Sequence, residues 1–183
     1  MVSFFHVDRA RVLGAGQKIG LSQIDPVAEP IKEQARVFFR QRFPNGLSRH
    51  GQQYALGDYA DLLAADGDTW RNTTIETIFE LVRIAHFPNL VSRYESLFVC
   101  SSLADATSFR TQSANREPKY ADCPIWKVQG ESASKHDMNL LTLEGRVADV
   151  HHRASMYWNG DASSNPFWEH LLKLPVFVVD QLG

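Results

Sequence analysis

Seven histidines are the first candidates for acid–base or metal chemistry: His6, His50, His86, His136, His151, His152 and His170. None of their spacings matches HExxH or another zinc pattern, so no metal site is expected. His151 and His152 fall on a predicted helix, where neighbours point about 100° apart and cannot close on one ion. His6 is different. It stands in the apolar run Phe4-Phe5-His6-Val7, sharing a strand face with Phe4. A polar ring there needs a hydrogen-bond partner or a ligand. The residues alone favour a satisfied structural histidine.

Two further sites stand out. Ser92-Arg93-Tyr94-Glu95-Ser96 is a dense polar patch opening an apolar segment. Such a patch can receive phosphate or ribose hydroxyls, or be a solvated turn. Glu169 follows Phe167-Trp168 and precedes His170-Leu171-Leu172. A carboxylate in that setting is costly if buried and unpaired, and harmless at an exposed edge. Ser48-Arg49-His50-Gly51, with Arg42, offers a different chemistry: a histidine with phosphate contacts, as in an RNA-processing enzyme.

The elements that must position these residues are read from periodicity. Residues 2–7 predict a strand and 18–21 a short second one. Gly14, Gly16 and Gly20 do not give GxGxxG spacing, which excludes a dinucleotide fingerprint of that type. Asp25-Pro26 reads as a helix start, with an apolar face running to Arg42. Residues 47–67 read as irregular. Thr73-Thr74-Ile75-Glu76 reads as a capping box for a helix that Pro88 stops. A strand at 95–100, a helix at 102–110 capped by Ser102, a polar loop at 111–122 and a strand at 124–128 follow. A helix is predicted over 144–158, ended by Asn159-Gly160, then an apolar tail at 171–179 interrupted by Pro175. Helices and strands are interspersed without strict alternation, which predicts an α+β domain.

Composition bounds the class. The 183 residues make one ordinary domain, with 19 Lys+Arg against 21 Asp+Glu and a net charge of -2. That balance argues against a nucleic-acid-coating module. Apolar residues make up 44%, enough to exclude disorder. No apolar stretch is long enough to span a membrane, and the start lacks a signal-peptide pattern, so a cytoplasmic protein is expected. Cys100 and Cys123 form no CxxC pair; their spacing leaves a disulfide open, and two buried free thiols are the plainer reading.

Taken together, five segments carry a resemblance. They are Phe4-Phe5-His6-Val7-Asp8-Arg9, then Ser92 to Cys100 leading into Ser102-Leu103-Ala104-Asp105, then Ile125-Trp126-Lys127-Val128, Tyr157-Trp158-Asn159-Gly160 and Trp168-Glu169-His170-Leu171-Leu172. Their order resembles an uncharacterised bacterial and phage family related to the ADP-ribosyltransferases. The resemblance implies an α+β fold with a split, mixed β-sheet of ADP-ribosyltransferase type. It places a helical insertion after the second strand, at about 25–90, within a single domain spanning 1–183. It implies NAD as substrate and no metal. By position, His6 would bind the adenosine ribose, with Arg9 beside it. Ser92 and Ser96 would lie on the middle-strand motif, and Arg93 would meet the pyrophosphate. Tyr157 would stack on nicotinamide from a helix end. Glu169 would be the catalytic glutamate. No Ser-Thr-Ser triplet is present, and Phe167 stands where arginine-directed toxins carry Glu or Gln.

The implied reaction suits those residue types. Cleaving the nicotinamide–ribose bond builds oxocarbenium-like charge, which a fixed carboxylate stabilises more in the transition state than before it. The expected function is therefore mono-ADP-ribosyl transfer to an unknown protein or nucleic-acid acceptor, with a neutralising protein among the expected partners. The alternatives are a non-catalytic nucleotide- or protein-binding module on the same fold, and the RNA-processing chemistry of His50.

Overall fold

The computed structural model describes residues 1–24, 30–55 and 67–182. Seven strands and five α-helices run in the order β1 (Val2–Val7), β2 (Lys18–Ile19), α1 (Pro30–Arg42), α2 (Arg49–Ala55), α3 (Gly67–His86), β3 (Ser96–Val99), α4 (Leu103–Arg116), β4 (Ile125–Gly130), β5 (Ala133–Asp137), α5 (Val147–Asn159), β6 (Trp168–Lys173) and β7 (Val176–Gln181) among the described residues.

The strands form two sheets, ordered β1-β4-β7-β2 and β3-β6-β5. Every pairing among them is antiparallel. This corrects the expectation of a mixed sheet, while the α+β class stands. The edges of the two sheets meet where Phe5 and Cys100 exchange backbone hydrogen bonds of 2.9 and 2.7 Å. The apolar tail resolves into two strands, and the chain crosses from one sheet to the other between them, at Pro175.

Both faces of the three-stranded sheet are covered. On one, α3 and α5 bury Phe79, Tyr157 and Trp158 against Leu171. On the other, Leu172 packs with Val128, Val176 and Val178 of the four-stranded sheet. Each fully buried side chain of this size contributes roughly 1.5–3 kcal/mol of transfer free energy. A third cluster joins Ala106 of α4 to Val7 and Ile125 and contains Cys100 and Cys123. Both cysteines are free, and burial pushes the Cys100 thiol up to about 12. No helix among the described residues is long and apolar enough to cross a membrane.

Several local expectations change. The Asp25-Pro26 helix start lies outside the described residues. The segment read as irregular holds α2, whose first turn is capped by Ser48 Oγ accepting from Gly51 N at 3.1 Å. Thr73 and Glu76 do not start a helix: they lie well inside α3, which begins at Gly67. Ser102 caps α4 by accepting from Asp105 N, as its sequence predicts, but the helix runs on to Arg116 through residues read as a loop. β5 is an addition; its polar sequence gives no period-2 apolar signal. α5 ends at Gly160, whose φ of 82° is the left-handed conformation glycine adopts without strain.

Candidate functional site

One buried arginine organises the site. Arg93 opens a short 3-10 turn, Arg93–Glu95, placed just before β3. Ser92 Oγ accepts from Tyr94 N at 3.0 Å, and Ser96 Oγ donates to the Ser92 carbonyl at 2.7 Å. These short-range bonds fix the turn and send the Arg93 side chain inward. There its Nε and Nη2 donate to the two oxygens of Glu76, on α3, at 2.9 and 3.0 Å. Its Nη1 donates to the Tyr157 hydroxyl and to Glu169 Oε1, both at 2.5 Å. Tyr157, on α5, donates in turn to the same Oε1 at 2.7 Å. All four side chains are buried.

The electrostatics follow from two carboxylates sharing one guanidinium away from water. Burial alone would favour neutral Glu76, but Arg93 and His50 outweigh it and hold that carboxyl far below its ordinary 4.5. Burial also opposes charge on Arg93, yet Glu169 and Glu76 hold it protonated. The Tyr157 hydroxyl is pushed well up by burial, against the pull of Arg93, and stays a donor. Both bonds at Glu169 land on Oε1; neither uses Oε2.

A second acid on α3 repeats the device one turn on. Arg83 donates to both oxygens of Glu80 at 3.0 and 2.7 Å, and Ser92 Oγ donates to Glu80 Oε2 at 2.8 Å. The two acid–arginine pairs therefore meet at the Ser92–Arg93 turn.

His50, on α2, closes the other end of the network. Its Nε2 lies 3.1 Å from Glu76 Oε1, but off the line of a directed hydrogen bond, so that buried nitrogen has no hydrogen-bond partner. The ring stacks on Tyr54 at 4.5 Å and meets the edge of Phe98 at 4.6 Å. Arg93 Cζ lies 4.5 Å over the same Phe98 ring. What lets α2 come this close is Gly51: a Cβ there would stand 2.3 Å from the Tyr94 carbonyl oxygen. Gly51→Ala is expected to destabilise the fold by about 1–3 kcal/mol, the usual range for overpacking. Urea denaturation measures it, and a midpoint equal to wild type would show that α2 shifts freely.

A family model described as a protein of unknown function, DUF2441, matches residues 4–182. The chain belongs to that family. No curated protein matches it.

In this DUF2441 chain, the sequence-nominated residues divide into three groups. Arg93, Tyr157 and Glu169 are in direct contact, although 76 positions separate the first and last. His6 donates from Nδ1 to the Phe98 carbonyl at 2.8 Å, so it is satisfied by β3 itself, and burial lowers its affinity for a second proton. Arg9 is not part of the cluster. It is exposed, with Cζ 5.5 Å over Phe109 and 5.5 Å over Tyr120.

The remaining nominated side chains have partners within the protein. Arg93 has all three guanidinium nitrogens engaged by Glu76, Tyr157 and Glu169. Ser92 and Ser96 are buried, and the hydrogen bonds of their hydroxyls build the turn and hold Glu80. The Tyr157 ring stacks on His136 at 4.5 Å and meets Phe79 edge-on at 5.4 Å. His136 is itself fixed, donating from Nδ1 to the Tyr157 carbonyl at 2.6 Å with Ser134 Oγ 2.7 Å from Nε2.

Glu76 is the residue the sequence reading missed. Its signal was present: Glu76 and Glu80, four apart, lie among Ile75, Phe79 and Val82, all buried. Two acids on the apolar face of a helix require partners. No group of three His, Cys, Asp or Glu residues that could hold a metal ion occurs among the described residues.

Proposed function

We propose that this DUF2441 chain is a mono-ADP-ribosyltransferase, moving ADP-ribose from NAD to a macromolecular acceptor with release of nicotinamide. One observation supports it above the others: Glu169 is held by Arg93 and Tyr157 through a single oxygen. A carboxylate so fixed presents Oε2 to a ribose hydroxyl without rearranging. It then steadies the positive sugar as the glycosidic bond breaks. Arg93 keeps that carboxylate oriented, and Glu76 pairs with the other edge of the guanidinium. His6 lies on β1, the strand where the resemblance puts a ribose contact, and is bonded to the Phe98 carbonyl of β3.

The test is nicotinamide release and acceptor labelling with radiolabelled NAD in cell lysate. Glu169→Gln is expected to lower both by 100-fold or more, in line with loss of one preorganised electrostatic group. Equal labelling by wild type and variant would remove Glu169 from catalysis. No NAD binding by wild type would remove the reading altogether.

One feature favours a second reading. Glu169 is only 4% exposed and already doubly bonded, as a purely structural acid would be. A non-catalytic nucleotide-binding module would then bind NAD in calorimetry and release no nicotinamide.

A further inference from the structure

β5 carries a pair of side chains that the transferase reading does not use. Ser134 and His136 stand two apart, so both leave the same face of the strand. Ser134 Oγ lies 2.7 Å from His136 Nε2, and His136 Nδ1 lies 2.6 Å from the Tyr157 carbonyl oxygen. A carbonyl can only accept, so Nδ1 carries the ring proton and Nε2 the lone pair. The Ser134 hydroxyl is therefore the donor of the bond to Nε2. The ring is held in its plane, stacked on Tyr157 at 4.5 Å and edge-on to Trp158 at 5.2 Å. A hydroxyl, a base in the tautomer that can take its proton and a third group orienting the base are the parts that make a serine nucleophilic. His136 is buried and Ser134 half-buried, so the serine is the member of the pair that reaches the surface.

The backbone adds a further part. Ser132 accepts from Lys173 N at 3.1 Å, and Met138 N donates to Phe167 at 2.8 Å, which ties β5 to β6 at both ends. Alternation along an antiparallel ladder then turns the Lys135 N–H away from β6, off the outer edge of the sheet. In serine hydrolases the N–H of the residue after the nucleophile serves the developing oxyanion.

We propose that Ser134 is a catalytic nucleophile with His136 as its base, taking acyl groups from ester substrates; this stands apart from the ADP-ribosyltransferase reading. An acyl group suits these parts, because its oxyanion needs backbone donors. A phosphoryl group calls for a cationic clamp, and Arg93, on this face, has all three nitrogens engaged. In the step, Ser134 Oγ bonds to the ester carbonyl carbon and its proton passes to His136 Nε2. The bond from that carbon to the alcohol oxygen breaks, and the departing oxygen takes the proton from Nε2. Water then repeats the sequence: its oxygen bonds to the acyl carbon, its proton passes through Nε2, and Ser134 leaves with that proton, releasing the carboxylic acid.

A fluorophosphonate probe and p-nitrophenyl acetate test this on the full chain. The probe is expected to label wild type on Ser134, read by peptide mass spectrometry, and to leave Ser134→Ala unlabelled. Release of p-nitrophenol is expected to fall 100-fold or more in Ser134→Ala and in His136→Gln, within the usual range for a general base. The pH profile of wild type gives the same information without a variant in the core. Burial lowers the affinity of His136 for a second proton; the Tyr157 carbonyl and Glu169 oppose that, while Arg93 and His170 add to it. The labelling rate is therefore expected to be level at neutral pH and to fall on acidification, with a midpoint below the ordinary 6.5. A label on another residue, no label, a rate unchanged through that range, or equal ester turnover by wild type and Ser134→Ala would each overturn the proposal. NAD binding and nicotinamide release by the same preparation bear on the transferase reading alone.

Discussion

Arg93→Met is expected to lower stability by about 3–5 kcal/mol, the range for breaking a buried ion pair by removing one partner. The variant keeps much of the side chain's length and loses its charge. Glu169 is left with the Tyr157 hydroxyl alone, and Glu76 with His50. Set against a typical total of about 5–15 kcal/mol, that loss brings the fold close to its threshold. The pH dependence carries the sign. With Arg93 gone, burial acts on Glu76 against His50 alone and favours its protonated form. Protonating it then offsets part of the loss, so the variant gains on wild type as pH falls. Adding Glu76→Gln and Glu169→Gln is expected to recover most of the loss at neutral pH. Urea denaturation of the single and triple variants checks both statements. A single variant within about 1 kcal/mol of wild type would show that the network is not a closed charge system.

Wild type behaves in the opposite sense, and Glu76 is the reason. Its folded-state pKa lies well below the ordinary 4.5, because Arg93 and His50 outweigh the effect of burial. A depressed carboxyl contributes stability that is fully present above its unfolded value and is lost as pH falls toward the folded one. Each unit of depression is worth about 1.4 kcal/mol. The expected result is an acid limb that begins near 4.5 and steepens below it. Glu76→Gln is expected to cost about 1.5–3 kcal/mol at neutral pH, through a lost charge-assisted bond. It is also expected to make the acid limb shallower by one proton. Denaturation midpoints from about pH 7 down to about pH 3 measure both. An unchanged slope would assign the acid sensitivity to another group.

The sequence made some of this legible, and the reasons are local. β1, the Ser102 cap and the Gly160 stop depend on neighbours within a few residues, and each stands where its pattern put it. α2 and β5 were hidden because neither carries an apolar period of its own. α2 is held by a close approach at Gly51, and β5 is the polar edge of a sheet whose centre is β6. Glu76 was misread for a specific reason. Thr-Thr-Ile-Glu fits a helix start, and the competing explanation, an arginine 17 residues on, becomes visible only when the turn at Ser92 folds back on α3. At the site, residue type was readable and partnership was not. Arg93 and Glu169 each looked anomalous, but nothing in one dimension paired them or showed that Arg93 spends its donors inside the protein.

The strand order bears on how this chain is made. β6 is the middle strand of one sheet, and β7 lies between β4 and β2 in the other. During synthesis, the ribosome therefore delivers the centre of both sheets last. Until Trp168–Gln181 emerges, β3 and β5 have no strand between them, and β4 cannot reach β2. A message truncated ahead of those codons would leave the β1–β4 pair as the remnant of one sheet and no strand pairing in the other. The nascent chain would also hold Arg93 with one of its two carboxylates still untranslated.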